Sequence, residues 1–254
     1  MVHLIRRIAS AIVLLGILVL LFCCGNELST RRAVAEANPI SQATFHIEIV
    51  GQNALATFAY QTTVLHIDEK AMWEGTATVR AYNMVFQQEC QSLYSSDIQA
   101  KRWRGKWAHT TTTTPKEQIQ LWLELFCKGK GSFNENPVPA SSLPIFDATD
   151  ERSILIAKMN DIALEWNALC DAHIDSMFGS QSFLTNNKTG TVTLYFEESS
   201  LEIVAASFTA GESATSISGI IEVFAVDGQS LPAFPDKDTL TKGILAEEWR
   251  ILDE

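Results

Sequence analysis

Positive charge is scarce in this chain: 19 Lys and Arg stand against 30 Asp and Glu, a net charge of −11 over 254 residues. Nucleic-acid binding relies on neutralising phosphates with basic side chains, so this balance argues against it. Cysteine is sparse as well. Of five cysteines, Cys23 and Cys24 sit in an N-terminal apolar stretch, which leaves Cys90, Cys127 and Cys170 far apart. Zinc ligands come in close pairs, so no zinc site is expected. Also missing are a Gly-x-Ser-x-Gly elbow, a His-Glu-x-x-His pair, a Walker loop and a glycine-rich dinucleotide turn. Without them the chain is not read as an enzyme, and no cofactor is expected. There is no internal repeat and no low-complexity linker to divide it.

Residues 8–25 carry no charge and follow Arg6 and Arg7. Positive charge before an apolar core stays on the cytoplasmic side, so the chain from about Asn26 onward is expected to cross the membrane. The length suits a signal-peptide core or a short spanning helix. Three outcomes are open. Leu21-Phe22-Cys23-Cys24-Gly25 resembles a bacterial lipobox, with Cys24 the lipidated residue, although Phe22 and Cys23 stand where small residues are usual. Ala33-Val34-Ala35 fits ordinary signal-peptidase cleavage, although Arg31 and Arg32 precede it. Retention of an uncleaved anchor is the third. In an exported chain two of the remaining cysteines can form a disulfide, and Cys127 with Cys170 is the preferred pair.

Residues 26–43 read as a polar tether and 44–236 as a single ectodomain, with 237–254 a tail ending in a small helix. Phe45, Ile47 and Ile49 alternate with His46 and Glu48, the period of a half-buried strand. A second strand is expected over 54–67, and a third, long one over 72–90 with a bulge past Asn83. Residues 98–110 look like a hairpin turning at Arg104-Gly105. A helix is expected from Pro115, with Thr114 as its cap and Ile119, Trp122, Leu123 and Phe126 on one face. Residues 129–148 read as a loop. Residues 150–178 contain no Gly or Pro and place apolar residues three or four apart, which predicts one long helix; a strand over 154–158 and a shorter helix is the competing reading. Period-two runs return from Gly190 to Val226. Strands, then helices, then strands predict an α+β domain with a sheet covered by helices on one face.

Candidate chemistry is thin. His46, His66 and His109 have no Ser or Cys partner suggested by spacing. Asp171 and Asp175 would share a helix face with His173 pointing away, which does not hold one metal. Lys101, Arg102, Arg104 and Lys106 interleave with Trp103 and Trp107, which fits either a contact with anionic lipid headgroups or a charged hairpin whose tryptophans pack inward.

In order and motif the chain resembles the LolA-like superfamily of lipoprotein carriers and lipid-binding lipoproteins. The likeness lies in Trp73-Glu74-Gly75 opening a long strand and in the hairpin from Ser96-Asp97-Ile98 to Trp107. It continues in the hairpin from Tyr195-Phe196-Glu197 to Ala206, and in the last strand to Asp227 with Leu231-Pro232-Ala233-Phe234-Pro235 after it. The predicted helix from Asp150 departs from the family, in which a strand is common there. The resemblance implies a curved antiparallel sheet, an open half-barrel beneath helices, whose apolar face holds an acyl chain. Trp73, Trp103, Trp107, Trp122 and Trp166 would be the candidate lining. Two functions stay open: a membrane-attached carrier of a lipid or lipoprotein acyl chain, and an anchored ectodomain that binds another protein.

Overall fold

Phe45, Ile47 and Ile49 are buried and the residues between them half-exposed, so the alternation carries through. The computed structural model describes residues 42–103, 106–109, 115–127, 129–164, 188–212, 214–240 and 250–252. In it the first strand is β1 (Gln42–Gln52), followed by β2 (Ala56–Ile67), β3 (Lys70–Ala81), β4 (Met84–Tyr94), β5 (Gln99–Trp103) and β6 (Lys106–His109). Helix α1 (Pro115–Phe126) comes next, then β7 (Lys130–Phe133), β8 (Val138–Pro139) and β9 (Ser153–Leu164). The sequence closes with β10 (Lys188–Glu197), β11 (Ile203–Glu212), β12 (Thr215–Phe224) and a short β13 (Arg250–Leu252).

These strands make one antiparallel sheet in the order β6-β5-β4-β3-β2-β1-β12-β11-β10-β9-β7, with β8 beside β9 and β13 beside β4. Neighbours along the path are consecutive in sequence except at two places: β1 with β12, which joins the first half of the chain to the last, and β9 with β7, between which β8 intervenes in sequence. The order is open at both ends. This overturns the half-barrel expected from the sequence: the sheet is neither closed nor curled, and α1 is the only α-helix among the described residues. The physical reason is that residues 153–164, the first part of the long helix expected to cover the sheet, are built of strand instead.

The clearest case is the predicted helix over 150–178, whose first part is β9, paired with β10 from Ile154 to Leu164. Asp161 adopts φ 57°, and the register shifts between Gly190 and Val192 opposite it. That bulge changes the phase, so the buried residues Ala157, Met159, Ile162 and Leu164 are spaced two, three and two apart. A strand with one inserted residue therefore imitates helical spacing. The remainder of the predicted helix lies outside the described residues.

The single strand expected over 72–90 is two strands joined by Tyr82 (φ 52°) and Asn83 (φ 65°), both left-handed, as a two-residue primed turn requires. The predicted loop over 129–148 contains β7, β8 and a 3-10 turn at Ala140–Ser142. In the tail, Leu252 belongs to a strand paired with Val85 rather than to a helix. The hairpin at 98–110 and helix α1 agree with expectation.

One face of the sheet is apolar and carries the main core. The other is largely polar: Gln61 Nε2 donates to Glu48 Oε1 at 3.1 Å, Gln91 donates to Glu74, and Arg102 donates to Gln91 Oε1 at 2.9 Å. At one margin of this face a second small core of Ala140, Ile154 and Val204 packs with Phe146 and Tyr195. There Arg152 lies over the Phe146 ring and donates from Nε and Nη2 to the Asp150 carboxylate, and these hydrogen bonds hold that carboxyl below the usual carboxylate range.

On the polar face Glu222 pairs in register with His46. Burial raises its carboxyl above the ordinary range, the neighbouring His46 opposes that, and Glu48 adds to it. A carboxyl whose folded pKa is raised binds its proton more tightly in the native state. Stability is then lost as pH rises through the folded pKa. Glu222→Gln is expected to be more stable than the native chain at pH 7, with the difference disappearing in acid below the ordinary glutamate range. Urea midpoints at several pH values check it; an equal difference at every pH would be the contrary result.

Candidate apolar ligand site

The apolar face is assembled from alternate residues of neighbouring strands. Register brings Phe45, Ile47 and Ile49 of β1 beside Val64, Thr62 and Tyr60 of β2, and Trp73, Gly75 and Ala77 of β3 follow in the same rows. On the other side lie Ile221 of β12, Ala206 and Phe208 of β11, and Val192 and Leu194 of β10. These residues form one buried cluster with Ile119, Trp122 and Phe126 of α1. The helix presents them at i, i+3 and i+7, which is one face. It lies against β3 and β9, and the Phe126 ring meets Phe208 with centroids 5.6 Å apart. Phe133 of β7 meets Phe196 edge-on at 6.3 Å.

Polar groups enter this face on β2, β3 and β4 only at a few points. The Trp73 indole donates to the Tyr60 hydroxyl at 2.8 Å, and both residues are buried. They are two rows apart, and the row between carries Gly75; a Cβ there would lie 2.6 Å from Thr62 Cβ and 2.7 Å from the Gln61 carbonyl oxygen. Glycine thus lets β3 approach β2 closely in this row. Thr62 turns its hydroxyl onto the Glu74 carbonyl oxygen at 2.8 Å, so it is satisfied internally. Gln88, opposite Ala77, is 5% exposed, and its Oε1 meets no hydrogen-bond donor among the described residues. Ser92, opposite Trp73, is buried too. A large apolar surface with a few hydrogen-bonding groups on one side can hold a ligand that has an apolar body and a polar end.

Of the five tryptophans expected to line a site, Trp73 and Trp122 come together in this cluster. Trp107 does not: it pairs with Arg102, whose row continues to Gln91 and Glu74 on the polar face, and it is half-buried. Trp103 lies on β5 opposite Lys106, with its side chain outside the description, and Trp166 lies outside the described residues. Cys24 and Cys170 also lie outside them. Cys127 is buried just past α1, its Sγ 3.0 Å from the Leu123 carbonyl oxygen. Asp171, His173 and Asp175 are outside as well. Among the described residues no group of three His, Cys, Asp or Glu is close enough to hold a metal ion, and no helix is long and apolar enough to cross a membrane.

Spacing alone missed Tyr60, Gln88 and Phe208. Gln88 faces inward only because the turn at Tyr82-Asn83 folds β4 back on β3, and reading 72–90 as one strand hid that. Phe208 carried a usable signal, since it sits in the period-two run expected to return after the turn at residues 199–200.

Comparison with known proteins finds weak similarity to solved structures. No protein-family model matches the chain, and no curated protein does. The crystal structure of LprF from Mycobacterium bovis is similar at a TM-score of 0.41 and 10% identity, over 82% of this chain and 96% of that one. A DUF1329 family protein from Desulfovibrio piger is similar at 0.24 and 7%, over 82% and 95%. A putative outer membrane lipoprotein-sorting protein domain from Vibrio parahaemolyticus is similar at 0.21 and 8%, over 82% and 95%. The similarity is weak throughout.

Proposed function

We propose that this is an exported, membrane-attached protein that binds an apolar ligand, such as a lipid or lipoprotein acyl chain, without chemical conversion. The observation that carries the reading is the apolar face itself: aromatic side chains of β2, β3, β11 and α1 gather there in one cluster, beside the buried polar groups of Tyr60, Thr62, Gln88 and Ser92. Trp73, Trp122, Phe126 and Phe208 are already buried against one another, so an acyl chain enters by parting α1 from the sheet, and the gain is burial of the chain's own apolar surface at about 25 cal/mol per Å². A hydroxyl or amine at its polar end satisfies the Gln88 acceptor. After the losses on association, a dissociation constant of order micromolar is the expected scale.

The test is a titration of the chain lacking residues 1–41 with a fatty acid or lysophospholipid kept below its micelle concentration, read by tryptophan fluorescence. A saturable change is expected, weakened several-fold in Trp122→Phe, which keeps an aromatic ring on the helix. A flat response to every lipid would remove the carrier reading and leave an anchored interaction domain.

Attachment is tested separately. If Cys24 is lipidated, Cys24→Ala shifts the protein to an unprocessed form of higher mass that lacks the lipid. If residues 8–25 remain as an anchor, the substitution leaves mass and membrane retention as they were. Fractionation with intact-mass measurement checks both. Native protein recovered in the soluble fraction and beginning at Glu36 would contradict attachment altogether.

A further inference from the structure

The two ends of the sheet differ in chemistry. At one end lie the turns β2–β3, β4–β5 and β10–β11, which expose Asp68 and Glu69, Asp97, and Glu198 and Glu202. At the other lie the turns β1–β2, β3–β4 and β11–β12, because Gln52 pairs with Thr57, Ala81 with Met84, and Glu212 with Thr215. This second end bears Leu55, 62% exposed, Tyr82, 73% exposed, and Met84, with Val50 of β1 nearby, also exposed. Arg80 is exposed beside them and Glu212 at the β11–β12 turn, while Lys70 stands exposed among the carboxylates of the first end. Of the other large exposed apolar residues among those described, Leu121 lies on α1 and Phe224 at the acidic end, opposite Thr44.

Tyr82 makes this end more than a chance scatter of apolar residues. It occupies the first central position of a primed turn at φ 52°, where Asn, Asp or Gly costs least and a bulky side chain is strained. Local folding therefore does not explain an aromatic residue there, and solvent exposure does not reward one. Tyrosine with leucine and methionine at hairpin tips is the chemistry of the bilayer interface, where an amphipathic ring and short apolar side chains enter the headgroup region. The acidic end is repelled by anionic lipid, which gives docking a direction.

We infer that the hairpin end bearing Leu55, Tyr82 and Met84 docks on a phospholipid bilayer, with the acidic end turned away. The domain then stands inverted on its tether, since β1 begins at Gln42 at the acidic end. Reach permits this. Residues 26–41 span at most about 55 Å when extended, and the eleven residues of β1 span about 37 Å. The membrane is the one proposed above as the site of attachment, but no ligand enters the argument.

The full chain is reconstituted into vesicles of phosphatidylethanolamine and phosphatidylglycerol containing a phospholipid with a photoactivatable group near its headgroup, and adducts are mapped by mass spectrometry. Adducts are expected on residues 50–57 and 80–86 together with 8–25, and not on 66–70 or 197–202. Tyr82→Asn combined with Leu55→Ser should reduce the tip adducts at least about fivefold. Labelling of 8–25 should stay unchanged and the melting temperature should not fall, because Asn suits the turn. Labelled anchor with unlabelled tips, as a protein or second copy seated on the tips would produce, overturns the docking while attachment stands. Equal labelling of both ends also overturns it. An unlabelled chain overturns both docking and attachment.

Discussion

Trp122→Ala is expected to lower folding stability by about 3–5 kcal/mol, the range for removing a large aromatic from a packed core. Trp122 is 2% exposed on the face of α1 that also carries Ile119 and Phe126. Its loss removes apolar burial and leaves space that the sheet beneath cannot close, because the strands there are held by ladder bonds on both sides. The helix would suffer first: at twelve residues it is too short to persist alone in water and depends on that face. Leu121, one position earlier, is 59% exposed, and Leu121→Ser should change stability by no more than about 0.5 kcal/mol. Urea unfolding followed by far-ultraviolet circular dichroism measures both. A fall in midpoint with unchanged slope is expected for Trp122→Ala. Equal effects at 121 and 122 would mean that α1 does not pack as described.

Helix α1 and the hairpin β5–β6 were legible in the chain because their signals are local: proline at the first helical position, apolar residues three and four apart, and an Arg-Gly pair between two short extended runs. The alternation of Phe45, Ile47 and Ile49 was legible for the same reason. Two of the misread elements trace to residues in a left-handed conformation, Asp161 within β9 and Tyr82 with Asn83 between β3 and β4. Asp161 inserts a step into β9 and turns period two into an apparent helical period. Tyr82 occupies a turn position that tyrosine seldom takes, so nothing in its identity announces a turn. Those two misreadings removed strands and added helix; the half-barrel itself came from the family resemblance. The site was less legible than the elements. Tryptophans can be picked out by type, but register decides their side of the sheet, and it puts Trp107 with Arg102 on the polar face. Tyr60 and Gln88 became visible as partners of the apolar face only once β2, β3 and β4 were in register.

Gly219→Val is expected to destabilise the chain by about 3 kcal/mol or more, and Gly219→Ala by about 1–3 kcal/mol, the usual cost of overpacking. Strand propensity predicts the opposite sign, because valine is favoured and glycine disfavoured in strands by up to about 1 kcal/mol. The close approach of two neighbours decides the matter. A Cβ at position 219 would lie 2.5 Å from Phe208 Cζ and 2.6 Å from the Glu48 carbonyl oxygen. The carbonyl belongs to the β1 ladder and cannot move without breaking the pairing of β1 with β12, the junction between the two halves of the sheet. The Phe208 ring lies across β12 at this glycine and also meets Phe126 of α1, so displacing it disturbs the helix contact as well. This predicts non-additivity. Phe208→Leu shortens the ring that clashes, so Gly219→Ala with Phe208→Leu should be less destabilised than the sum of the single variants by about 1 kcal/mol. Chemical denaturation of the four proteins closes the cycle. Strict additivity would assign the cost to the Glu48 carbonyl alone, and a stabilised Gly219→Ala would show that strand propensity, not close approach, governs this position.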